Sequence, residues 1–549
     1  MLRTIHQKYH EQKKFFYLLG GCISICTQLS AQNPPITPAW AFGHIAWEDS
    51  LNTAQGAMKL VDSYLERDIP VSAVIIDSPW SMAYNDFNWN PKRYPDPKGM
   101  INHFQSKDVK VLLWLTGAVN IEGKDTPQQK SETYDYVVTQ NYGINHSHPH
   151  DWWKGKGVHI DFTNPKATEW WYSQLDKVFI DGVYGWKVDQ GEFWFGDFLD
   201  TSIGKLSNEQ FRPYYYNAMY DYTVKHNPKG IIIARPFSHQ GGYAASVEKL
   251  NMGWSGDFSG DWKGLKEQIR NIYLSAKRGY GSVACEVGGF FQKRSDKLQF
   301  VRYAQFGCMT ACMINGGENG AFSNHLPWYH GKDVENIYRY CVSLHDELIP
   351  YLFSTVVDAH LTGNSLIRNA SFAEESHQVG NALFTKAITS EENTVSFHLP
   401  TNGEWIDFWS GKTYAAGSQV TATYPLDRFP LFVKSGSIIP LNITTQITGL
   451  GDETMKHRKT ILIYPNGISQ SLLHLPADDG ITYRDYRVIY DENRKLLTVS
   501  GKDTESYTFI LKNMPKVNNV KNVSSWKYDK NKKELRIQAK GSELKIPIL

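Results

Sequence analysis

The sequence is poor in cysteine. Only six cysteines occur among 549 residues, and two of them, Cys22 and Cys26, fall in an apolar stretch near the N-terminus. The other four are too few for a disulfide framework and lack the C-x-x-C spacing of metal sites: Cys285, Cys308, Cys312 and Cys341. A disulfide-stabilised scaffold is therefore excluded, and we predict neither a metal site nor a cofactor.

An excess of charge of one sign is also lacking. The 58 lysines and arginines nearly balance the 56 aspartates and glutamates. Such a chain has no strong net field to gather a polyanion or an anionic membrane surface, so nucleic acid is not expected as a partner. Beyond the N-terminus, no segment reaches the roughly 18 uninterrupted apolar residues of a transmembrane helix. We predict no membrane span.

The N-terminus has the pattern of an export signal. Lys13 and Lys14 precede the apolar stretch FFYLLGGCISIC, and the small residues of LSA, ending at Ala31, suit cleavage. Residues 1–31 are therefore predicted to be a signal peptide, and the mature protein to be periplasmic or extracellular. The letters LGGC also allow a lipoprotein anchor at Cys22, but the apolar run continues past that cysteine, which favours a soluble exported protein.

Eight short apolar runs alternate with stretches of helical pattern in the first part of the chain, such as PKATEWWYSQLDKVF at 165–179. The runs are 40–47, 71–80, 109–117, 184–189, 230–237, 251–257, 281–289 and 312–320. Nearly continuous apolar strands alternating with helices form a parallel sheet covered on both faces, and eight of them form a (β/α)8 TIM barrel. We predict this α/β barrel over residues 32–354, with its chemistry at the C-terminal strand ends.

After residue 355 the pattern changes to short alternating runs separated by turn signals. Examples are NTVSFHLPTNGEWIDFWSGKTY and KKELRIQAKGSELKIPIL. Such runs are typical of antiparallel β domains. We predict a proximal β domain over residues 355–443 and a distal β domain over residues 444–549.

Charged residues end the fourth apolar run, in YGWKVDQGEFW. Because a nearby cation such as Lys187 favours the charged form of a carboxylate, Asp189 is suited to be a nucleophile. A second carboxylate, Asp257 in WSGDFSGDW, follows two strands later, where Trp254 and Trp262 would lower the local polarity and keep it protonated. Two such carboxylates about 5 Å apart cleave glycosidic bonds by the retaining route.

Simpler roles remain open for these residues. Asp189 or Glu192 would also fit a structural ion pair, and Asp257 would fit a turn or a helix cap. Paired carboxylates also hold divalent cations, although no EF-hand or histidine-rich spacing accompanies them here.

Several motifs, in order along the chain, resemble glycoside hydrolase family 31, the retaining α-glycosidases that include α-glucosidases, α-xylosidases and α-galactosidases. KVDQGE matches the nucleophile motif of the family in its K-x-D-x-G-E version, and WSGD matches the acid/base motif. WNPKRYPDPKGM resembles the segment between the second and third barrel strands, and PLDRFPLFVKSGSIIPL resembles the proximal β domain. The resemblance runs from about Pro38 to Asp479.

The resemblance implies roles for ten residues. It makes Asp189 the nucleophile and Asp257 the general acid/base of a double displacement. It implies substrate-binding roles for Asp77, Trp114, Lys187, Glu192, Arg235, Trp254, Glu286 and His325. Barrel filling remains open for Trp114, and a supporting role remains open for His325.

The chain departs from the family pattern in three places. The β-sandwich that usually precedes the barrel is expected to be missing. The D-I-G-G-F stretch reads EVGGF, with Glu286 for aspartate, and F-F-R-N-H reads AFSNH, with Ser323 for arginine. Both changes fall near the expected sugar pocket, so a terminal sugar other than plain glucose is expected.

We therefore expect an exo-acting retaining α-glycosidase whose partner is an α-linked oligosaccharide or glycoside. The K-x-D-x-G-E version favours a terminal galactosyl residue first and a xylosyl residue next. The alternatives are an α-glucosidase, an α-N-acetylgalactosaminidase or a transglycosylase on the same scaffold, and a carbohydrate-binding protein without catalysis.

Overall fold

The computed structural model of this chain describes residues 33–48, 53–190, 196–238, 241–291, 295–317 and 325–549. The predicted export signal, with Cys22, lies outside these residues, as do Glu192 and Ser323. The four cysteines of the described part are buried and form no disulfide. None of the described helices is both long enough and apolar enough to cross a membrane.

Eight parallel strands close into a barrel, as predicted. Their side chains are almost all buried, because one face of each strand contacts the barrel interior and the other contacts the surrounding helices. Each strand overlaps one of the predicted apolar runs. In chain order, strands β1 to β8 are Ile45–Glu48, Ala73–Ile76, Lys110–Leu115, Gly185–Val188, Ile231–Ala234, Met252–Trp254, Val283–Val287 and Met313–Asn315.

The helices begin where the sequence offers caps. Asn164 accepts a hydrogen bond from the Lys166 backbone N–H, and Pro165 occupies the first turn, where its missing N–H is not needed. The helix that follows has the predicted bounds. The described helices are Ala54–Leu65, Pro97–Gln105, Tyr134–Thr139, the short turn Ile144–Ser147, Pro165–Phe179, Asn208–His226, Trp262–Arg278, Lys297–Gly307, Lys332–Glu347 and Ile349–Thr362.

The connection between β5 and β6 differs from the prediction that a helix follows every strand. Its described residues contain only the 3-10 turn Val247–Lys249. Pro236 and two glycines with positive φ, Gly241 and Gly242, favour a tight reversal instead of a helix. The reversal returns the chain so that the Ala245 N–H donates to the carbonyl of Arg235, the first residue after β5.

Two small antiparallel sheets are inserted after the C-terminal ends of β3 and β4. The first has three strands, Ala118–Gly123, Gly155–His159 and His150–Trp152. The second is the hairpin of Phe198–Thr201 and Gly204–Ser207. Because both insertions follow strand C-termini, they flank the end of the barrel where functional residues of this fold are found.

Antiparallel sheets follow the barrel, as predicted. A six-stranded sheet and a separate strand pair comprise Ile367–Ser371, Ser376–Val379, Leu383–Lys386, Leu431–Lys434, Trp405–Asp407 and Thr413–Tyr414, with Thr394–His398 and Gln419–Thr423 as the pair. The last sheet is mainly antiparallel and comprises Ile438–Leu441, Lys459–Ile463, Leu496–Leu511, Tyr483–Asp491, Ile468–Pro476, Glu534–Pro547 and Ser525–Asp529.

One strand and one helix do not follow the domain boundaries predicted from the sequence. Ile438–Leu441, which the division places in the proximal domain, pairs with Lys459–Ile463 of the last sheet. The helix Ile349–Thr362 crosses the predicted end of the barrel at residue 354. Local alternation reveals a strand but not its partner, so the sequence does not determine which sheet a short linking strand joins.

Candidate active site

Five charged residues predicted to be functional lie at the C-terminal ends of barrel strands. Asp77, Asp189 and Arg235 are the first residues after β2, β4 and β5. Asp257 follows β6 by three residues, and Glu286 lies in β7. Because all eight strands are parallel, these side chains share one mouth of the barrel.

Arg235 joins the two predicted catalytic carboxylates. Its Nη2 donates to Oδ1 of Asp189 at 3.2 Å and to Oδ2 of Asp257 at 2.6 Å. Since both oxygens bond one nitrogen, their separation cannot exceed the sum of these two distances. Carboxyl groups about 5–5.5 Å apart are typical of the retaining arrangement, whereas the inverting arrangement needs about 6.5–9.5 Å.

Several contacts fix the position of Asp189. Its Oδ2 accepts a hydrogen bond from the indole Nε1 of Trp114 at 3.0 Å, and its Oδ1 accepts one from the backbone N–H of Gln190 at 2.8 Å. The Tyr215 hydroxyl donates to the Asp189 carbonyl at 2.7 Å. The Asp189 N–H donates to the Leu115 carbonyl of the neighbouring strand β3. These contacts orient the carboxylate before any substrate is bound.

Trp114 therefore lines the site rather than filling the barrel. It belongs to a small aromatic cluster separate from the main hydrophobic core, together with Tyr84, Ala118 and Trp152. The cluster connects β3 with the inserted three-stranded sheet, so the support of Trp114 comes from outside the barrel interior.

Lys187 forms a buried ion pair with Asp77 rather than with the neighbouring Asp189. Its Nζ lies 3.0 Å from Oδ2 of Asp77, and the two side chains are 4% and 6% exposed. The same oxygen accepts a hydrogen bond from the Trp47 indole at 2.7 Å, and the Ser78 N–H donates to Oδ1 at 2.7 Å. The Asp77 side chain thus accepts from three donors.

Aromatic rings surround the Lys187 ammonium. Its Nζ lies 3.5 Å from the ring centre of Trp47, 4.5 Å from that of Trp254 and 5.9 Å from that of Phe290. Burial lowers the pKa of Lys187, but the nearby carboxyl groups, Asp77 first, outweigh burial and leave the pKa raised. Lys187 is therefore a fixed cation of the site.

Glu286 is buried next to Trp254, and one of its two carboxyl oxygens accepts a hydrogen bond from a described residue. The Trp254 indole donates to Oε1, while Oε2 has no hydrogen-bond partner among the described residues. Burial, followed by the charge of Asp257, raises the pKa of Glu286 well above its ordinary value, against the opposing effects of Lys187 and Arg235. Burial therefore favours the uncharged form of the Glu286 carboxyl group.

Trp254 contacts Arg235 and Glu286 in the structure. We expected this indole, with Trp262, to give Asp257 an apolar environment. Instead, the guanidinium carbon of Arg235 lies 3.8 Å from the Trp254 ring centre, and Asp257 contacts that guanidinium. The Trp254 N–H donates to the carboxyl group of Glu286.

His325 lies at the start of the last described segment and is 1% exposed. Its ring packs so closely against Gly317 that a Cβ added there would lie 2.1 Å from Nε2. Only glycine fits at that position. Glu192, also predicted to bind substrate, lies outside the described residues.

Sequence reasoning missed two residues that complete the site, Trp47 and Tyr215. Trp47 lies in β1, next to β2, and therefore reaches Asp77. A tryptophan near the C-terminal end of a predicted barrel strand has an indole N–H that can donate to a carboxylate at the barrel mouth, so its position in the sequence indicates a site residue. Tyr215 lies in the helix Asn208–His226, and no local pattern distinguishes it from the neighbouring tyrosines. The described residues contain no cluster of three possible metal ligands.

Family models match most of the chain. The model of the glycosyl hydrolases family 31 TIM-barrel domain matches residues 34–355, and the family 31 C-terminal domain model matches residues 361–439. The chain belongs to glycoside hydrolase family 31. The resemblance drawn from the motifs is thereby confirmed.

Curated relatives in family 31 are about a quarter identical to this chain over the aligned residues. Alpha-glucosidase 2 of Bacillus thermoamyloliquefaciens is 24% identical over 485 residues, which is 83% of this chain and 60% of the relative. An alpha-xylosidase of Emericella nidulans is 24% identical over 441 residues, which is 74% of this chain and 54% of the relative. This chain therefore spans little more than half the length of these proteins.

A solved family 31 structure shares the fold. The Flavobacterium johnsoniae GH31 dextranase, complexed with glucose, superposes with a TM-score of 0.81 at 22% identity. The match covers 94% of this chain and 71% of the dextranase. The barrel and the β-sheets that follow it are therefore arranged as in family 31.

The Lys187–Asp77 pair gives a prediction about stability. Lys187→Met leaves the Asp77 carboxylate buried without its cation, and removing one partner of a buried pair costs about 3–5 kcal/mol. We expect urea unfolding at pH 7 to show a loss of this size. Lys187→Met combined with Asp77→Asn should recover part of it.

The matched control is Lys263→Met. The Lys263 ammonium is 80% exposed and lies 3.8 Å from Glu267 on a helix surface. Its removal should change stability by less than about 1 kcal/mol. Equal losses of unfolding free energy in Lys187→Met and Lys263→Met would show that the buried Lys187–Asp77 pair stabilises the fold no more than an exposed pair does.

Proposed function

We propose that this protein is a retaining α-glycosidase that removes a terminal, non-reducing α-linked sugar. The observation that carries the proposal is the bond of one guanidinium nitrogen of Arg235 to both Asp189 and Asp257, which holds one oxygen of each carboxyl group closer together than the roughly 6.5–9.5 Å of the inverting arrangement. Membership of family 31 supports the reaction class.

In the first step, a carboxylate oxygen of Asp189 attacks the anomeric carbon, and the bond from that carbon to the leaving oxygen breaks. Asp257 gives its proton to the leaving oxygen, so the aglycone departs as an alcohol. In the second step, Asp257 takes a proton from water. The resulting hydroxide attacks the same carbon, and Asp189 leaves as a carboxylate. Two inversions retain the α configuration.

Asp257 must carry a proton before the first step, although its bond to Arg235 favours the carboxylate. We infer that sugar hydroxyls accept hydrogen bonds from the guanidinium when substrate binds, because arginine presents several N–H donors to such groups. The bond from Arg235 to Asp257 then weakens, and Asp257 is able to hold a proton. Substrate binding thus prepares the acid.

The buried floor of the mouth supports exo action on one sugar at a time. The side chains of Asp77 and Arg235 are 6% and 4% exposed, so both lie deep in the mouth, where they would bond the hydroxyls of a terminal sugar. We propose an α-galactoside as the preferred substrate and an α-xyloside as the second candidate, because KVDQGE has the K-x-D-x-G-E form. The relatives named alpha-glucosidase and alpha-xylosidase make those sugars necessary comparisons.

A panel of 4-nitrophenyl α-glycosides tests the activity and the sugar together. We expect release from the galactoside, less from the xyloside, and little from the glucoside or the N-acetylgalactosaminide. Proton NMR of a defined oligosaccharide should show a single monosaccharide that first appears as its α-anomer. Internal fragments, or a β-anomer appearing first, would contradict the proposal. Absence of release from every glycoside would favour a carbohydrate-binding protein, and new oligosaccharides would indicate transglycosylation.

The nucleophile is tested by Asp189→Ala. This variant should lose at least about 10⁴-fold in turnover, because no glycosyl ester can form. Added azide should restore part of the activity and give the β-glycosyl azide, since a small anion enters the vacated space and attacks only once. The control is Asp200→Ala, an exposed aspartate of the inserted hairpin, which should behave as the native protein. Ordinary turnover by Asp189→Ala would exclude its role.

The acid is tested by Asp257→Ala with two leaving groups. A poor leaving group needs protonation, whereas an aryl leaving group of low phenol pKa does not. We expect a loss of about 10²–10⁴-fold on a disaccharide and a much smaller loss of the first chemical step on the activated aryl glycoside. Equal losses of that step on the two substrates would assign the acid role elsewhere.

A further inference from the structure

Two hydrogen bonds hold the backbone of Glu286 against the helix Trp262–Arg278. The Glu286 N–H donates to Oε1 of Gln268 at 2.7 Å, and Nε2 of Gln268 donates to the Glu286 carbonyl at 3.1 Å. Both residues are buried. Because these bonds fix the backbone of Glu286, the length of its side chain determines how far the carboxyl group extends toward Trp254.

The Glu286 carboxyl group in turn fixes an indole. The Trp254 N–H donates to Oε1, and the Trp254 side chain is 1% exposed. The face of this indole lies 3.8 Å from the guanidinium carbon of Arg235. A buried aromatic face attracts a cation and restricts where it sits, so the position of the indole limits the position of the guanidinium.

We propose that Glu286 is a positioning residue that acts through Trp254 to hold Arg235 against both catalytic carboxylates. The inference rests on the proposed glycosidase function and deepens it. Glu286 touches neither reacting atom in this arrangement. Its contribution is geometric, because a displaced guanidinium would no longer bond Asp189 and Asp257 together.

The raised pKa of Glu286, which favours its uncharged form, fits this role. Lys187, Arg235 and Asp257 are the charged groups that act on it, and the buried Cys285 and Tyr303 are the other titratable groups coupled to it. An ionised Glu286 would attract Arg235 away from the catalytic pair and would repel Asp257. An uncharged acid accepts the indole N–H without competing for the guanidinium.

The coupling between Glu286 and Trp254 is tested by a double-mutant cycle on kcat. Glu286→Leu removes the acceptor, and Trp254→Phe keeps an aromatic face but removes the N–H. Each change should lower kcat about 10- to 100-fold, because a lost buried hydrogen bond releases a group that must be placed in the transition state. The double variant should be no slower than the slower single variant. Independent, multiplying losses would overturn the proposal.

Conservative variants separate positioning from general support of the fold. Glu286→Gln keeps an uncharged acceptor of the same length, so we expect it to regain most of the kcat lost in Glu286→Leu. Glu286→Asp keeps the acid but is one methylene shorter, so it should resemble Glu286→Leu while remaining folded by thermal unfolding. If Glu286→Leu does not fold, the proposal is tested by comparing Glu286→Gln with Glu286→Asp. Equal kcat values for these two variants would contradict it.

The protonation state is tested by the pH profile of kcat/KM. If Glu286 is uncharged, the alkaline limb of Glu286→Gln should coincide with that of the native enzyme. If Glu286 is ionised, its replacement removes a negative charge near Asp257, Asp257 loses its proton more easily, and the limb moves to lower pH. Such a shift would overturn the uncharged role.

Failure of this inference is distinguishable from failure of the proposed function. If the native protein releases no sugar from any substrate, or releases it equally without Asp189, the glycosidase proposal fails. If the native protein is active and depends on Asp189, but Glu286→Leu retains the native kcat, only the positioning role fails.

Discussion

The contact of Arg235 with two carboxylates is the interaction on which the site depends. Two negative charges so close together repel each other, and without a cation one of them would take up a proton. The Arg235 side chain is 4% exposed, whereas those of Asp189 and Asp257 are 13% and 17% exposed. The cation is thus buried behind the anions, and the anions face the open side, where a substrate arrives.

A buried cation of this kind requires a rigid scaffold, because moving charge out of water is costly unless partners are already in place. The barrel provides them from separate strands: Arg235 follows β5, its carboxylate partners follow β4 and β6, and its aromatic support ends β6. Trp254 and Asp257 are three positions apart, but the closed sheet is what brings them beside Arg235 and Asp189. The candidate site therefore exists only once the barrel has formed.

The sequence predicted those features that are encoded locally. Eight apolar runs identified the barrel strands, and the helical pattern of PKATEWWYSQLDKVF located the helix Pro165–Phe179 correctly. The sequence could not reveal partners across the barrel. Lys187 was expected beside Asp189, two residues away, but its ammonium pairs with Asp77, 110 positions away. In a strand, residues two apart share a face, yet neither the register nor the side-chain reach of the neighbouring strand is visible locally.

Trp254 links the two cations of the site, since its ring contacts Lys187 at 4.5 Å and Arg235 at 3.8 Å. Two cations on one indole are tolerated only if each has its own anion. Asp77 balances Lys187, and Asp189 balances Arg235.

If Asp257 and Glu286 were both ionised as well, the negative charges of the site would outnumber its positive charges. With Glu286 uncharged and Asp257 protonated, as the first step of the proposed mechanism requires, the charges of these described groups sum to zero. Loss of the Asp257 proton to the leaving oxygen is matched by conversion of the Asp189 carboxylate to an ester, so the balance is kept through that step. An uncharged Glu286 is therefore consistent with the proposed reaction, which moves one proton and changes no net charge in the site.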